Sequence, residues 1–307
     1  MVNTSAKNNY LLVIAGPTAV GKTELCIKLA KNFNTVIISS DSRQFYKETN
    51  KGTAKPTLQE MECVPHYFVD NKSIFDDYDV RKFEKDALEL LEKFFINQKL
   101  VIMTGGSGMY IDAICQGLDE IPEVDPQIRS SLNAFYQEYG LEKLQQKLLE
   151  LDPEYYQEVD LKNPHRLIRA CEVSIGTGRP FSQYRIKKIS PRPFHIIKVG
   201  LERDREELYQ RIDHRMDLMI ADGLFEEAEK LYAHRHLNAL QTVGYSEIFG
   251  FMEGKYNREE AIRLLKRNSR RYAKRQLTWF RKDKTIKWFH PDQYDQVLNY
   301  IQSQISS

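Results

Sequence analysis

Residues 10–33 have the sequence YLLVIAGPTAVGKTELCIKLAKNF, in which an apolar run leads into a glycine-bounded loop and then into an amphipathic segment. Within it, residues 16–23 fit the pattern GxxxxGK[ST] between a predicted strand and a predicted helix. The glycines allow backbone N–H groups to converge on phosphate oxygens at a helix N-terminus, Lys22 adds a positive charge, and the Thr23 hydroxyl can hold Mg²⁺. The stretch therefore predicts a P-loop that binds a diphosphate or triphosphate group.

Three further apolar runs, at residues 35–39, 100–104 and 195–201, have the pattern of buried parallel strands, and each is followed by a turn. Helical patterns are predicted over residues 21–33, 80–97, 107–115, 205–221, 224–234 and 258–282. Because strands alternate with helices, the pattern predicts an α/β fold with a P-loop NTPase-like parallel sheet and helices on both of its faces.

Residues 119–193 interrupt this alternation, since they contain no convincing strand. They carry helical patterns at residues 126–138, 141–151 and 164–176, and prolines mark both boundaries. We therefore expect an all-helical insertion domain over residues 119–193, within a P-loop core domain formed by residues 1–118 and 194–307. Such an insertion is a usual place for a lid or a substrate-gripping subdomain.

The composition, 41% hydrophobic and 29% charged over 307 residues, is typical of a soluble globular protein. No run approaches the roughly 20 apolar residues of a membrane helix, and residues 1–9 lack the features of a signal peptide. We expect a cytoplasmic protein without a membrane partner, and a monomer, since nothing in the sequence demands a dimer. The four cysteines lack metal-site spacing, so Cys26, Cys115 and Cys171 are expected to be buried thiols.

Positive charge is concentrated in residues 258–284, which contain eleven Lys or Arg and three acidic residues, a local net charge of +8 in a chain of net charge +2. At 100° per residue the apolar arc of this predicted helix consists of Leu265, Tyr272, Ala273, Leu277 and Phe280, and the opposite arc consists of Arg267, Arg270, Arg271, Lys274, Thr278 and Arg281. Cationic helices are often simply solvated. Here the scarcity of interleaved carboxylates and the admixture of aromatic residues favour a nucleic-acid backbone as partner.

Polar residues follow two other predicted strands at the sheet edge that carries the P-loop. SSDSRQ, residues 39–44, follows the second strand, and GGSGMY, residues 105–110, follows the third. Because ligands of open α/β sheets bind beyond the carboxyl ends of the strands, Asp41 is expected beside the P-loop. Position alone leaves two roles open: holding Mg²⁺ through water, as in NTPases, or accepting a proton from a nucleophile. Capping of the next turn is a third role, and the Ser107 hydroxyl could contact the same anion or nucleophile.

Taken together, eight segments resemble the tRNA dimethylallyltransferases, also called tRNA isopentenyltransferases. The segments are GPTAVGKT (16–23), SSDSRQFYKETNKGTAKPT (39–57), PHYFVD (65–70), TGGSGMYIDAICQGL (104–118), DPQIRSSL (125–132), NPHRLIRACEV (163–173), QTVGYSEIFGFMEGK (241–255) and KRQLTWFRK (274–282). The resemblance covers nearly the whole chain, and the chain lacks the C-terminal zinc finger of eukaryotic members, so a bacterial form is indicated. It implies transfer of a dimethylallyl group from dimethylallyl diphosphate to N6 of the adenosine 3′-adjacent to the anticodon, position 37 of tRNA, with release of pyrophosphate.

The same resemblance implies roles for individual residues. The P-loop, formed by Gly16, Pro17, Thr18, Ala19, Val20, Gly21, Lys22 and Thr23, would clamp the leaving diphosphate together with Mg²⁺ at Thr23. Arg129 and, on a looser alignment, Arg215 would assist it. Asp41 matches the catalytic aspartate and would accept the proton of the adenine amine, while Ser107 stands where the family has Thr or Ser.

Contacts with tRNA are implied for a larger set of residues. They are Asp41, Ser42, Arg43, Gln44, Ser107, Arg129, His165, Arg166, Leu167, Ile168, Arg169, Gln241, Gly244, Tyr245, Lys274, Arg275, Gln276 and Arg281. The target adenine would have to be flipped out of its stack to reach the diphosphate. The alternative is a P-loop small-molecule kinase with a helical lid; a third hypothesis is a tRNA-binding protein whose P-loop only switches conformation. The sequence leaves open whether the loop ever binds ATP.

Overall fold

The computed structural model of the chain describes residues 9–53, 55–186 and 189–306. Two compact units are present. The first combines the chain up to Cys115 with the chain from Arg192 onward, and the second is formed by Gln116–Pro191. The second unit overlaps the predicted insertion of residues 119–193. Residues 1–8, on which the absence of a signal peptide mostly depended, lie outside the described residues.

A six-stranded sheet runs through the first unit, and every pairing in it is parallel. Its strands are β1 (Tyr10–Ala15), β2 (Ile37–Ser39), β3 (His66–Tyr67), β4 (Leu100–Gly105), β5 (His195–Leu201) and β6 (Lys287–Phe289), in the spatial order β3-β2-β4-β1-β5-β6. The central strand β1 lies between β4 and β5, with Tyr10 opposite both Leu100 and His195. The predicted parallel α/β sheet is confirmed, and β3 and β6 were not predicted because two or three residues carry too little periodicity.

Helices of the first unit connect these strands and extend the C-terminal part. They are α1 (Lys22–Phe33), α2 (Leu58–Met61), α3 (Val80–Phe94), α4 (Gly108–Gln116), α8 (Arg205–Ala221), α9 (Leu224–Leu231), α10 (Ser246–Met252), α11 (Arg258–Phe280) and α12 (Tyr294–Ser306). The helices between α4 and α8 belong to the second unit. The helix predicted over residues 224–234 is shorter, since α9 ends at Leu231 and a 3₁₀ turn, Tyr232–His234, comes after it.

The two faces of the sheet bury separate hydrophobic clusters. Alternate residues of β1 divide between them: Leu12 and Ile14 pack on one side with residues of α1, α8 and α12, and Leu11 and Val13 pack on the other with residues of α3 and α4. This alternation results from the two-residue period of a strand. Helices therefore cover both faces, as the sequence predicts.

The second unit is helical throughout its regular elements: α5 (Pro126–Leu151), α6 (Pro153–Glu158), α7 (Pro164–Thr177) and a 3₁₀ turn, Phe181–Tyr184. The two helices predicted over residues 126–138 and 141–151 are assigned as one, but Gly140, at φ 77°, breaks the helical backbone between them. Leu132, Leu144 and Leu148 of α5 pack with α7 in a core of their own.

The three cysteines predicted to be buried are buried. Cys26, Cys115 and Cys171 are buried free thiols, whereas Cys63 is exposed. Among residues 9–53, 55–186 and 189–306, no helix is both long and apolar enough to cross a membrane.

Candidate active site

The P-loop connects β1 to α1 at the carboxyl end of the sheet. Gly21, the residue before α1, has φ 111°, a backbone conformation that residues other than glycine rarely adopt. A Cβ at this position would lie 3.3 Å from Pro291. The backbone conformation at position 21 therefore favours glycine, and the contact with Pro291 leaves little room for a larger residue. The Thr23 hydroxyl lies on the exposed first turn of α1, with no hydrogen-bond partner within the described residues.

Four carbonyl groups of the P-loop accept hydrogen bonds from cationic side chains. Lys22 Nζ donates to the carbonyl oxygens of Gly16 and Pro17 at 2.9 and 2.8 Å. Arg211 Nε donates to the carbonyl of Ala19 at 2.9 Å, and Arg203 Nε donates to the carbonyl of Val20 at 2.9 Å. Because cationic side chains hold the carbonyl oxygens of these peptide groups, the protein itself orients the loop backbone for phosphate binding.

Arg203 was not predicted as a site residue. It lies shortly after β5, and β5 is next to the strand that leads into the P-loop. Its side chain is only 8% exposed, and its guanidinium also pairs with Glu207 and with Asp292, the latter at 2.9 Å. The available signal was its place at a strand's carboxyl end, which is the same signal that indicated Asp41.

Two cations of this region lie close to the Asp41 carboxylate. Burial lowers the pKa of Lys22 to about 8; the charge of Asp41 opposes this shift, and Arg215 adds to it. Burial also lowers the pKa of Arg215, and Asp41 again opposes the shift. Arg215 Nη1 donates to Thr18 Oγ1 of the P-loop at 3.2 Å. The charge of Asp41 therefore acts on both cations, which is consistent with the predicted place of this residue beside the P-loop.

Asp41 lies in the turn after β2, half-buried, with its Oδ1 accepting from the backbone N–H of Arg43 at 3.1 Å. Its own carbonyl accepts from the N–H of Gln44 at 3.0 Å. The carboxylate thus caps its turn, which is the third of the roles left open by the sequence, and it lies on the side of the P-loop cations, where either of the other two roles would place it.

Ser107, in the turn between β4 and α4, connects to the Asp41 turn. Its Oγ accepts from the backbone N–H of Ser42 at 3.1 Å and lies 3.1 Å from the Ser42 hydroxyl. Burial, together with the nearby charge of Asp41, raises the pKa of the Tyr272 phenol of α11 to about 12, and this phenol lies close to Ser107. The structure therefore brings Asp41, Ser42 and Ser107 together as predicted, and adds Tyr272.

The remaining residues of this turn bond mostly within the first unit. Arg43 Nη1 donates to the carbonyl oxygens of Asn238 and Ala239 at 2.8 and 3.3 Å. Gln44 Oε1 accepts from the hydroxyl of Ser39 at 3.2 Å. Both side chains are half-buried, so each supports the turn and retains an exposed part.

Residues predicted to contact tRNA in the C-terminal part fall into two groups. Gln241, Lys274, Arg275 and Arg281 are exposed, although Gln241 Nε2 donates to the carbonyl of His236 at 3.1 Å and Arg281 pairs with Glu202 at 3.1 Å. Gly244, Tyr245 and Gln276 are buried and have internal partners: the Gly244 N–H donates to Glu247 at 2.9 Å and the Tyr245 hydroxyl to Glu227 at 2.6 Å. Their polar groups are therefore used inside the protein, because the loop before α10 and the middle of α11 pack into the core.

The predicted residues of the insertion are likewise divided. His165 and Arg166 lie at the start of α7, at least partly accessible, whereas Leu167 and Ile168 are buried in the helical core, which leaves their side chains without solvent access. Arg129 and Arg169 both pair with the buried Glu172, at 3.3 and 3.1 Å.

The cationic helix α11 is more neutralised than its own sequence indicates. Asp213 and Asp217 of α8 pair with Arg270 and Lys266, each at 2.6 Å. A packed helix thus adds carboxylates to the few that are interleaved in the sequence of α11 itself. Arg271 and Lys274 are exposed and have no ion-pair partner among the residues that the structure describes. The part of the helix surface that carries unpaired positive charge is therefore narrower than the predicted cationic arc.

A family model described as IPP transferase matches residues 44–283. The chain belongs to the IPP transferase family. A relative from Cytophaga hutchinsonii, named tRNA dimethylallyltransferase, is 51% identical over 298 residues, which are 97% of this chain and 98% of the relative.

Solved structures give the same assignment. The full-length tRNA isopentenylpyrophosphate transferase from Bacillus halodurans is similar with a TM-score of 0.72 and 36% identity, over 97% of each chain. A eukaryotic dimethylallyltransferase described as acting on tRNA is similar with a TM-score of 0.72 and 27% identity, over 89% of this chain and 70% of that one. The family resemblance is confirmed, and the dimethylallyltransferase prediction is favoured over the kinase alternative.

Proposed function

We propose that this chain transfers a dimethylallyl group from dimethylallyl diphosphate to N6 of the adenosine at position 37 of tRNA, 3′-adjacent to the anticodon, and releases pyrophosphate. The observation that carries the proposal is that the Asp41 charge acts on both Lys22 and Arg215, of which Arg215 donates to Thr18 of the P-loop at 3.2 Å, within a chain of the IPP transferase family. This arrangement offers a base and a diphosphate site at one edge of the sheet.

The leaving diphosphate is held by residues 16–23. Negative charge develops on the bridging oxygen as the allylic carbon–oxygen bond breaks, and fixed donors stabilise it in proportion to how well they are oriented beforehand. Arg203 and Arg211 supply that orientation through their hydrogen bonds to P-loop carbonyl oxygens. Lys22 and Arg215 supply positive charge. Arg129 stays a prediction; within its own unit its guanidinium is paired with Glu172.

The donor set fits Mg²⁺ bound largely through the substrate. Thr23 offers a hydroxyl oxygen on the exposed first turn of α1, and the described residues contain no group of three or more His, Cys, Asp or Glu side chains placed to hold a metal. Mg²⁺ commonly takes one or two protein oxygens and completes its shell with phosphate and water. When bound, it would supply charge neutralisation at the diphosphate.

At the acceptor, Asp41 takes the proton that the adenine amine loses as its nitrogen bonds to the allylic carbon. The amine is a weak nucleophile because its lone pair is delocalised into the ring, so removal of that proton by a positioned carboxylate contributes about 10²–10⁴-fold. Ser107 holds the Asp41 turn through Ser42. The adenine has to leave its stack to reach this position, and the exposed Arg271 and Lys274 provide phosphate contacts for the tRNA backbone. A cytoplasmic monomer remains the expected form of the enzyme.

The test combines the chain with radiolabelled dimethylallyl diphosphate, Mg²⁺ and unmodified tRNA. Label should appear in the RNA and should disappear when the adenosine at position 37 is replaced by guanosine. Label that stays off the RNA while ATP is hydrolysed would overturn the proposal in favour of the kinase.

A further inference from the structure

The side chain of Gln276 joins two loops of the active site. It is 6% exposed, on the buried side of α11. Its Oε1 accepts from the backbone N–H of Thr18 in the P-loop at 2.9 Å, and its Nε2 donates to the carbonyl of Gly106, in the turn after β4, at 2.9 Å. Each end of the amide therefore has a partner within the protein, and burial leaves little of the side chain accessible to an RNA.

We propose that Gln276 is a positioning residue that sets the separation between the diphosphate loop and the acceptor side of the site. On one side Thr18 is also held by Arg215. On the other side Gly106 precedes Ser107, whose hydroxyl holds the turn of Asp41 through Ser42. The inference rests on the proposed function, because the two loops are then the binding sites of donor and acceptor.

Space around Gly106 gives independent support. A Cβ at this position would lie 2.1 Å from Gln276 Nε2 and 3.2 Å from Gln276 Cδ, and the nearest atoms all belong to Gln276. Gly106 has no positive φ, so its backbone does not itself require glycine. Glycine at position 106 is thus explained by the approach of one side chain.

The position of Gln276 on α11 links this contact to the cationic face. Lys274 and Arg275, the two preceding residues, are exposed. The helix that presents these cations to solvent therefore also fixes both loops, through a residue on its buried side. Displacement of reacting groups by about 1 Å can lower a rate about 10²-fold. Loss of a contact that positions both loops can therefore have a large effect on kcat.

A double-mutant cycle tests the proposal with Gly106→Ala, Gln276→Ala and the pair. Each single variant should lower kcat about 10- to 100-fold, while the Kd for tRNA changes less than about twofold. The double variant should be no slower than Gln276→Ala, because the added methyl has nothing left to displace. The inference would be overturned if the two losses of kcat multiply in the double variant, or if the single variants raise KM for tRNA and leave kcat unchanged.

The matched control is Gln296→Ala, an exposed glutamine of α12, which should behave as wild type. The free energy of unfolding, measured by denaturant on wild type, both single variants and the double variant, should show the same non-additivity without reference to activity. If Gln276→Ala does not fold, Gly106→Ala alone decides between a loss of kcat, which supports the inference, and a loss of tRNA affinity, which refutes it. A wild type that transfers no label refutes the proposed function itself; a wild type that transfers while both single variants retain kcat refutes only the inference.

Discussion

The Ser107 hydroxyl oxygen lies 3.1 Å from both the backbone nitrogen and the hydroxyl oxygen of Ser42. These two residues belong to turns that come after β4 and β2, which are neighbours in the sheet. Ser42 is the residue after Asp41, so the hydroxyl of one turn supports the other turn, which carries the carboxylate. A residue expected to act on the substrate thus also has a structural reason to be a hydroxyl.

Replacement of Ser107 by alanine should lower both stability and transfer. The partly buried N–H of Ser42 loses its acceptor, which costs about 1–3 kcal/mol of unfolding free energy, and the Asp41 turn loosens. Ser107→Thr keeps the hydroxyl and should retain activity. Denaturant unfolding and kcat measure the two effects; equal losses in the alanine and threonine variants would show that the hydroxyl is not the relevant group.

Replacement of Arg203 by methionine should weaken the P-loop. The carbonyl of Val20 loses its donor, and Glu207 and Asp292 lose a cation that is largely shielded from solvent. We expect a loss of about 1–3 kcal/mol in unfolding free energy and a raised KM for dimethylallyl diphosphate. The control is Arg205→Met, an exposed arginine two residues along the chain. Loss of stability without any change in that KM would separate Arg203 from diphosphate binding.

The lowered pKa of Lys22 predicts a pH dependence of diphosphate binding. Burial places this pKa at about 8 rather than at the usual 10.5. Between these values the unfolded chain binds more protons than the folded one, so this lysine makes folding more favourable as pH rises. Binding changes in the opposite direction, because the ammonium is lost above about pH 8.

At saturating tRNA, kcat/KM for dimethylallyl diphosphate should therefore fall by about tenfold per pH unit above about pH 8. Lys22→Met should be slower and flat across the same range, since it has no proton to lose. A methionine variant that retains the alkaline decline would assign the titration to another group.

Most of the fold could be predicted from the sequence because its main strands are long and apolar. β1, β4 and β5 have six or seven residues each, and the glycine-bounded motif after β1 identifies both the loop and the helix next to it. The location of Asp41 was also predictable, since the ends of parallel strands meet at one edge of the sheet.

The parts that the sequence did not reveal depend on long side chains that cross between elements. A helical wheel places Gln276 on a helix but does not show that its amide reaches Thr18 and Gly106, so it was assigned to tRNA. In the same way, the pairing of Arg270 with Asp213 depends on how α11 packs against α8. Periodicity indicates which face is buried, but not which polar groups meet there.

Neutralisation of Arg271 and Lys274 should weaken tRNA binding and reduce its salt dependence. Removal of one phosphate contact lowers the slope of log K against log salt concentration by about 0.7–0.9. Arg263→Gln is the matched control on the same helix, because Arg263 is already paired with Glu260 at 2.6 Å. An unchanged slope in the Arg271→Gln and Lys274→Gln variants would make this part of α11 a solvated face.

Replacement of Asp41 by asparagine separates the two chemical roles that the sequence leaves open. The asparagine oxygen can still accept from the Arg43 N–H, which lies 3.1 Å from Asp41 Oδ1, so the turn should persist. The amide cannot act as a base, and single-turnover transfer should fall about 10²–10⁴-fold while tRNA binding is retained. Asp295→Asn, at an exposed position of α12, is the control.

Titration with Mg²⁺ then distinguishes a base from a metal-holding carboxylate in the same Asp41→Asn variant. If the Asp41 carboxylate holds Mg²⁺ through water, its loss weakens Mg²⁺ binding. A high Mg²⁺ concentration would then refill the site by mass action and restore transfer. An absent base is not restored by the metal, because the proton of the adenine amine still has no acceptor. We therefore expect the defect to persist at saturating Mg²⁺, and recovery of transfer at high Mg²⁺ would assign Asp41 to the ion instead.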